Sequence, residues 1–299
     1  MPSHPHDDLQ SRFLLPHAGV RGVSVRLQQT WQDILAHAQY PGTVRELLGQ
    51  SCAAAALFTG HAKVNGRLSL QLRSQQALRT LFAECTAQDT LRGIARMADG
   101  ATNISHDLRQ LGEDALLAIT IENPGLDPRE PQRYQSLVSL QAATLSEAFE
   151  DYFRQSEQLP TRLLLVADGE RAAGLILQKL PGDEGDGDGW NRAGALFDTL
   201  RSDELLALPG SQLLHRLFHE EAVQILAERP LRFACSCSRD RVAAMLHSLG
   251  EDEARAALAD GQADVRCEFC GQRYLFTDVQ VEELFSLAGV EVQAPERLQ

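Results

Sequence analysis

Four cysteines towards the C-terminal end constrain this chain more than any other feature. They form two close pairs, Cys235-Ser236-Cys237 and Cys267-Glu268-Phe269-Cys270, with 29 residues (238 to 266) between them. Two thiol pairs, each on its own turn and brought together by the fold, build a tetrahedral thiolate site for zinc. The first pair has one intervening residue where ordinary zinc knuckles have two, and thiols set so close together also read as a redox device. A module of about 60 residues has little core of its own. Structural zinc contributes roughly 10–16 kcal/mol in small modules, enough to decide whether such a module folds at all.

With 299 residues, the chain has room for one large domain and a smaller one. Its 28 Lys and Arg against 41 Asp and Glu give a formal charge of −13, and the cysteine segment 231–299 is itself acidic, with 7 basic against 12 acidic residues. That balance argues against a nucleic-acid partner, whose phosphates need a basic face. No apolar run reaches the 18 residues of a membrane span, and residues 1–8 lack a basic stretch followed by an apolar one, so neither a membrane anchor nor a secretory signal is expected. The expected setting is cytoplasmic, where thiols stay reduced and six cysteines are not a disulfide framework.

Periodicity points to an α+β fold in three parts: a mixed core domain over 1–180, a loop and helical linker over 181–230, and the four-cysteine domain over 231–299. Residues 66–72 alternate apolar and polar, the mark of a half-buried strand, and similar runs lie at 115–121, 163–166 and 173–178. Residues 41–58 read as a helix with Pro41 near its start and an alanine-rich face. Thr144-Leu145-Ser146-Glu147 is a capping box, followed by Leu145, Ala148, Phe149, Tyr152 and Phe153 at helical spacing. The glycine-aspartate tract 181–189 reads as an exposed loop. Helical patterns follow at 195–201, 203–208 and 211–221, the last carrying an apolar stripe of Leu213, Leu214, Leu217 and Phe218 that needs a partner surface. In the cysteine domain helices are expected at 239–249, 252–260 and 279–288.

Around the thiols, Arg239, Arg241, Arg266 and Arg273 are placed to offset the charge of a four-thiolate site, and Phe233, Phe269, Tyr274 and Phe276 to supply a small core. From spacing alone three readings stay open: a static zinc module, a redox-responsive zinc switch and a metal-free catalytic dithiol. The switch has a physical route. Oxidation removes thiolate ligands and ejects the metal, the module opens, and the leucine-rich helices before it expose an apolar stripe that binds unfolded polypeptides.

At these residues the chain resembles the 33 kDa heat-shock protein family of bacterial redox-regulated chaperones. The likeness rests on Cys235-x-Cys237, the long spacer, Cys267-x-x-Cys270 with Gly271 and Tyr274-Leu275-Phe276, and three motifs upstream. These are Phe149-Glu150-Asp151-Tyr152-Phe153, Ser156-Glu157-Gln158-Leu159-Pro160-Thr161-Arg162 and Leu217-Phe218-His219-Glu220-Glu221. The resemblance covers essentially the whole length. It implies a cytoplasmic holdase that needs no nucleotide and is not an enzyme, inactive while one zinc ion sits on Cys235, Cys237, Cys267 and Cys270. It further implies that oxidation pairs Cys235 with Cys237 and Cys267 with Cys270, releases zinc and unfolds the zinc module with its linker. Unfolding client proteins are then the partners, with a homodimer as the active form.

Sharper readings elsewhere lose to plainer ones. His215 and His219 are four apart, but Arg216 stands where a metalloprotease helix needs Glu. Cys52 and Cys85 read as inert packed thiols. Asp183, Asp186 and Asp188 lack the ligand spacing and closing Glu of a calcium loop. No nucleophile elbow or phosphate-binding loop is present.

Overall fold

A run of small residues, Ala53 to Ala56, lies in the helix on which the larger unit is built. The computed structural model describes residues 8–62, 64–101, 104–125, 130–182, 186–259 and 261–286. The chain divides into two compact units, Met1–Ala234 and Cys235–Gln299.

The first unit opens with strands β1 (Leu9–Leu15) and β2 (Val20–Leu27), then helices α1 (Gln29–Leu35) and α2 (Gly42–His61). A meander β3 (Arg67–Arg73), β4 (Leu78–Thr86) and β5 (Thr90–Met97) follows, then β6 (Leu116–Asn123), β7 (Gln132–Val138) and α3 (Leu145–Ser156). The hairpin β8 (Thr161–Ala167) and β9 (Ala172–Lys179) leads into α4 (Gly189–Phe197), α5 (Ser202–Ala207) and α6 (Gly210–Phe218), and the unit ends in β10 (Gln224–Pro230) and β11 (Arg232–Phe233). The strands form two sheets, in the orders β10-β1-β2-β9-β8 and β11-β5-β4-β3-β6-β7. Every pairing in them is antiparallel except that of β11 with β5.

Helix α2 runs between the two sheets, and fourteen of its twenty residues are buried. A helix that is apolar all round has no solvent side to give it amphipathic periodicity. Its small side chains let both sheets approach: a Cβ on Gly49 would lie 2.5 Å from the Cβ of Ala167. The expected Pro41 start holds, with Pro41 as N-cap. Helix α3 carries the expected capping box, Glu147 N donating to Thr144 Oγ1 and Thr144 N to Glu147 Oε2, each at 3.2 Å. Its Phe149 and Phe153 meet Phe58 of α2 edge-on, at centroid distances of 4.9 and 5.2 Å.

The two sheets explain two kinds of sequence pattern. In β3 every second residue is buried, because only one face of its sheet is covered. In β2 and β9 nearly every residue is buried, because α2 covers one face and α4, α5 and α6 the other. The apolar stripe Leu213, Leu214, Leu217 and Phe218 finds its partner here, in a cluster with Phe13, Leu15, Val20, Leu175 and Leu177.

Helix α4 begins six residues earlier than the periodicity predicts. Gly189 explains the start: a Cβ there would lie 2.5 Å from Ala18 Cα, so only glycine allows this approach to the β1–β2 turn. Asp183 lies outside the described residues, but Asp186 is engaged, accepting from Arg192 Nη2 at 2.9 Å and from Asp188 N at 3.0 Å. Arg192 also donates through Nε and Nη2 to the carboxylate of Glu221, which is 1% exposed. Glycine-rich sequence here marks a tight fit and not only a loop. Strand β10, which gave no clear sequence signal, is an edge strand with mostly exposed side chains, ending at Pro230.

The second unit holds α7 (Arg239–Leu249), α8 (Glu251–Ala256), a three-stranded sheet of β12 (Leu258–Ala259), β13 (Gln262–Arg266) and β14 (Arg273–Thr277), and α9 (Asp278–Ser286). The helix predicted at 252–260 is shorter: Leu258 and Ala259 pair with Ala263 and Gln262 around Gly261, whose φ of +78° turns the chain back. Asp260 and Ala288, within the predicted helices, lie outside the described residues. The core is small, comprising Val242, Leu246, Ala254, Ala263, Phe276 and Val281. Phe233, expected to serve this core, belongs to the first unit, where it packs on the ring of His37 at 5.4 Å. Among the described residues, no helix is long and apolar enough to cross a membrane.

Arg192→Met leaves the Glu221 carboxylate without its cation. Losing a buried charged hydrogen bond costs about 1–3 kcal/mol, so urea unfolding of the variant is expected to show a lower midpoint by the corresponding amount.

Candidate metal centre

The two cysteine pairs sit on two different kinds of turn. Cys235 and Cys237 precede α7, whose N-cap Ser238 accepts from Arg241 N at 3.2 Å. The Arg241 side chain folds back and donates to Ser236 O at 2.9 Å, bracing the peptide between the two thiols. Cys267 and Cys270 occupy the turn joining β13 to β14, whose last register pair is Arg266 with Arg273. There Cys267 N donates to Gln272 O at 2.9 Å and Gly271 N to Cys267 O at 2.8 Å. Gly271 has φ of +67°, a conformation that glycine adopts without strain.

The fold brings all four sulfurs together: each Sγ lies within 4.8 Å of the other three. Two close separations cross between the turns, 3.6 Å from Cys235 to Cys267 and 3.3 Å from Cys237 to Cys270. A tetrahedron with Zn–S bonds of about 2.3 Å has edges of about 3.8 Å. The thiols are free and only partly buried. Donor set, number and spacing therefore fit a zinc ion held by Cys235, Cys237, Cys267 and Cys270, the residues that the sequence singles out.

The surroundings differ among the thiols. Burial pushes the Cys235 thiol up to about 11, and burial also raises Cys270. Burial acts in the same direction on Cys237, but the hydrogen bond from Tyr274 and contacts with the other thiols outweigh it and hold this thiol below its ordinary value. Tyr274 Oη donates to Cys237 Sγ at 3.1 Å. Of the arginines expected around the thiolates, three have partners other than sulfur, Arg241 on Ser236 O among them. Arg239 donates to Leu275 O at 2.9 Å and lies 4.2 Å above the Phe276 ring, while Arg273 pairs with Asp264. The hydrogen bond to sulfur comes from Tyr274, which sequence reasoning assigns to the core. Its position four residues after Cys270, at the start of a strand leaving the turn, was the available signal.

Other candidate groups lie apart from this cluster. Cys52 and Cys85 are fully buried in the first unit, and burial raises both, Cys85 to about 12, as expected for packed thiols that stay protonated. His215 and His219 have ring centroids 5.8 Å apart and line a shallow groove with Leu214, Val223 and Ile225. Asp186 is committed to Arg192.

The family model for Hsp33 protein matches residues 8–277, a span that includes the four cysteines. The chain belongs to the Hsp33 family. It is 43% identical over 298 residues to the 33 kDa chaperonin of Ectopseudomonas mendocina, a match covering 97% of this chain and 99% of that one. To the 33 kDa chaperonin of Pseudomonas fluorescens strain SBW25 it is 41% identical, with 96% of each covered. The fold resembles the crystal structure of the 33 kDa chaperonin of Thermotoga maritima with a TM-score of 0.75 at 20% identity, covering 95% of this chain and 99% of that one.

A metal entering this site must displace the protons of Cys235 and Cys270, because burial raises both thiols and keeps them protonated when no metal is bound. The sign follows: apparent zinc affinity of the reduced protein falls as pH falls, by up to a factor of about ten per pH unit for each proton expelled. Competition with a colorimetric chelator between about pH 6 and about pH 8 is expected to show this slope, and Cys270→Ser is expected to retain less metal throughout.

Proposed function

We propose that this chain is a redox-gated holdase: a chaperone that binds unfolding proteins without nucleotide and is held inactive while one zinc ion sits on Cys235, Cys237, Cys267 and Cys270. The observation that carries this reading is the four-sulfur cluster inside a unit with so small a core. Each large apolar side chain buried there contributes about 1.5–3 kcal/mol, whereas structural zinc contributes about 10–16 kcal/mol. Removing the ion thus takes away a contribution at least comparable with that of the four large side chains buried in the second unit's core, Val242, Leu246, Phe276 and Val281.

An oxidant such as hydrogen peroxide removes it chemically. In the proposed pairing Cys235 joins Cys237 and Cys267 joins Cys270, consuming four thiolates and leaving no charged sulfur for the metal. Disorder in the second unit then has a short path along the chain. Ala234 alone separates β11 from Cys235, and β11 is only two residues long. Before it comes β10, an edge strand whose side chains are mostly exposed and whose hold on β1 is largely the backbone ladder. Beyond β10 lie α4, α5 and α6, whose departure uncovers apolar residues on both helix and sheet. Exposed apolar surface of this kind binds unfolded segments of client proteins. The names of the curated relatives, 33 kDa chaperonins, support the same reading. Dimerisation of the opened form belongs to the proposal, since exposed apolar faces on two copies can cover one another.

The zinc-loaded protein is expected to lose its zinc and four thiols together when treated with peroxide at mildly raised temperature, and over the same period to begin suppressing light scattering by an aggregating client. Suppression that appears while zinc is still bound would refute the gating. Zinc loss with scattering unchanged would leave a static zinc module.

A further inference from the structure

We propose that Tyr274 is a positioning residue for the thiolate cluster: its hydroxyl, donating to Cys237 Sγ, restrains that sulfur's attack on electrophiles and so sets how readily the site is oxidised. The inference deepens the redox-gated reading and rests on it for its physiological meaning, but the contact itself is a property of the site.

The geometry is specific. Tyr274 stands in β14, opposite Val265 in β13, one residue after the register pair that closes the knuckle. Its ring packs against the small core of the second unit, and its Oη reaches Cys237 Sγ at 3.1 Å. Cys237 belongs to the other turn, so this hydrogen bond ties the β13–β14 knuckle to the segment before α7. Cys237 thus has a hydroxyl donor in addition to its 3.3 Å sulfur contact with Cys270, while Cys235 and Cys267 have a sulfur contact with each other at 3.6 Å. With a metal bound, all four sulfurs are thiolates, so the fraction ionised no longer distinguishes them. What distinguishes them is electron density on sulfur, which an O–H donor draws away.

The chemistry at stake is a two-electron oxidation. A thiolate attacks one peroxide oxygen: an S–O bond forms, the O–O bond breaks, and the departing hydroxide takes a proton to become water. The second thiolate then attacks the sulfenic sulfur, forming the S–S bond as the S–O bond breaks and a second hydroxide leaves to be protonated. Both electrons pass from the sulfurs to the peroxide. A hydrogen bond to the attacking sulfur slows the first step, because it stabilises the thiolate more than the neutral sulfenic product.

Tyr274→Phe keeps the ring and removes only the donor. In the zinc-loaded full chain, Cys237 is expected to react about 3- to 10-fold faster with peroxide, given the strength of a hydrogen bond to a charged group and the partial dependence of thiolate nucleophilicity on basicity. Alkylation of Cys237 by iodoacetamide, followed by peptide mass spectrometry, is expected to accelerate similarly. Cobalt substitution gives a readout that packing alone does not move: loss of the donor is expected to shift the sulfur-to-cobalt charge-transfer band to longer wavelength. One bound zinc per chain serves as the control for folding. If Cys237 in the variant reacts at the wild-type rate with both reagents, or the charge-transfer band stays where it was, the assignment to Tyr274 is wrong. If the wild-type site resists peroxide altogether, the redox-gated reading fails, while the alkylation rate and the cobalt band still decide the role of the hydroxyl.

Discussion

Four sulfurs within 4.8 Å of one another cannot all carry negative charge unaided. Two unit charges about 3.6 Å apart repel by about 5 kcal/mol at an effective dielectric constant of 20, and the cluster contains six such pairs at various distances. The second unit therefore has three ways to exist around this point. It can hold a cation, keep its thiols protonated, or lose the charges to disulfide bonds. The first draws the two turns together through all four sulfurs, whereas with protonated thiols the turns share only neutral contacts such as Tyr274 Oη to Cys237 Sγ, and disulfides satisfy each turn separately. On the proposed reading, the fold of the second unit leans on an attraction supplied from outside the polypeptide, and chemistry at sulfur would then act on structure.

The first unit is organised on the opposite principle. Helix α2 is covered on both sides by sheets, and its burial depends on no ion. Within this unit stability is graded. The α2 layer joins residues far apart in sequence through close packing, whereas α4, α5 and α6 form a separate cluster on the outer face of the sheet. That outer layer is pinned by a few polar contacts, above all Arg192 between Asp186 and Glu221. An element held by one apolar face and one ion pair opens at lower free energy than one packed on all sides.

What was legible in the sequence follows the same division. The thiol site could be read directly, because metal ligation demands particular residue types at particular spacings. Amphipathic elements such as α3 and β3 could be read because one side of each faces water. The glycine-aspartate tract misled in part: it looks like solvent-exposed chain, yet Gly189 is there because Ala18 backbone leaves no room for a Cβ. Strand β10 was illegible because an edge strand exposed on both faces has no alternation to show. The role of Tyr274 was hidden for another reason. An aromatic residue beside a small core has an obvious apolar use, and only the folded arrangement places its hydroxyl on a sulfur.

If the second unit opens as proposed, the graded first unit determines what the opened molecule would present. Removing α4, α5 and α6 uncovers Phe13, Leu15, Val20, Leu175 and Leu177, which lie on adjacent strands of one sheet. If β10 leaves with the helices, the backbone donors and acceptors of β1 lose their partner as well. A sheet face of that kind, beside a free edge, suits an extended apolar segment of another chain, because backbone pairing is indifferent to sequence and the apolar face needs only bulk. The segments 189–218 and 224–230 compete for the same surface by the same contacts. Re-forming the sulfur–metal site would restore their advantage, since it fixes the end of the chain next to β11 and lowers the entropy lost when β10 returns. On the proposed reading, reduction of the two disulfides and return of the ion would therefore favour release of a bound segment.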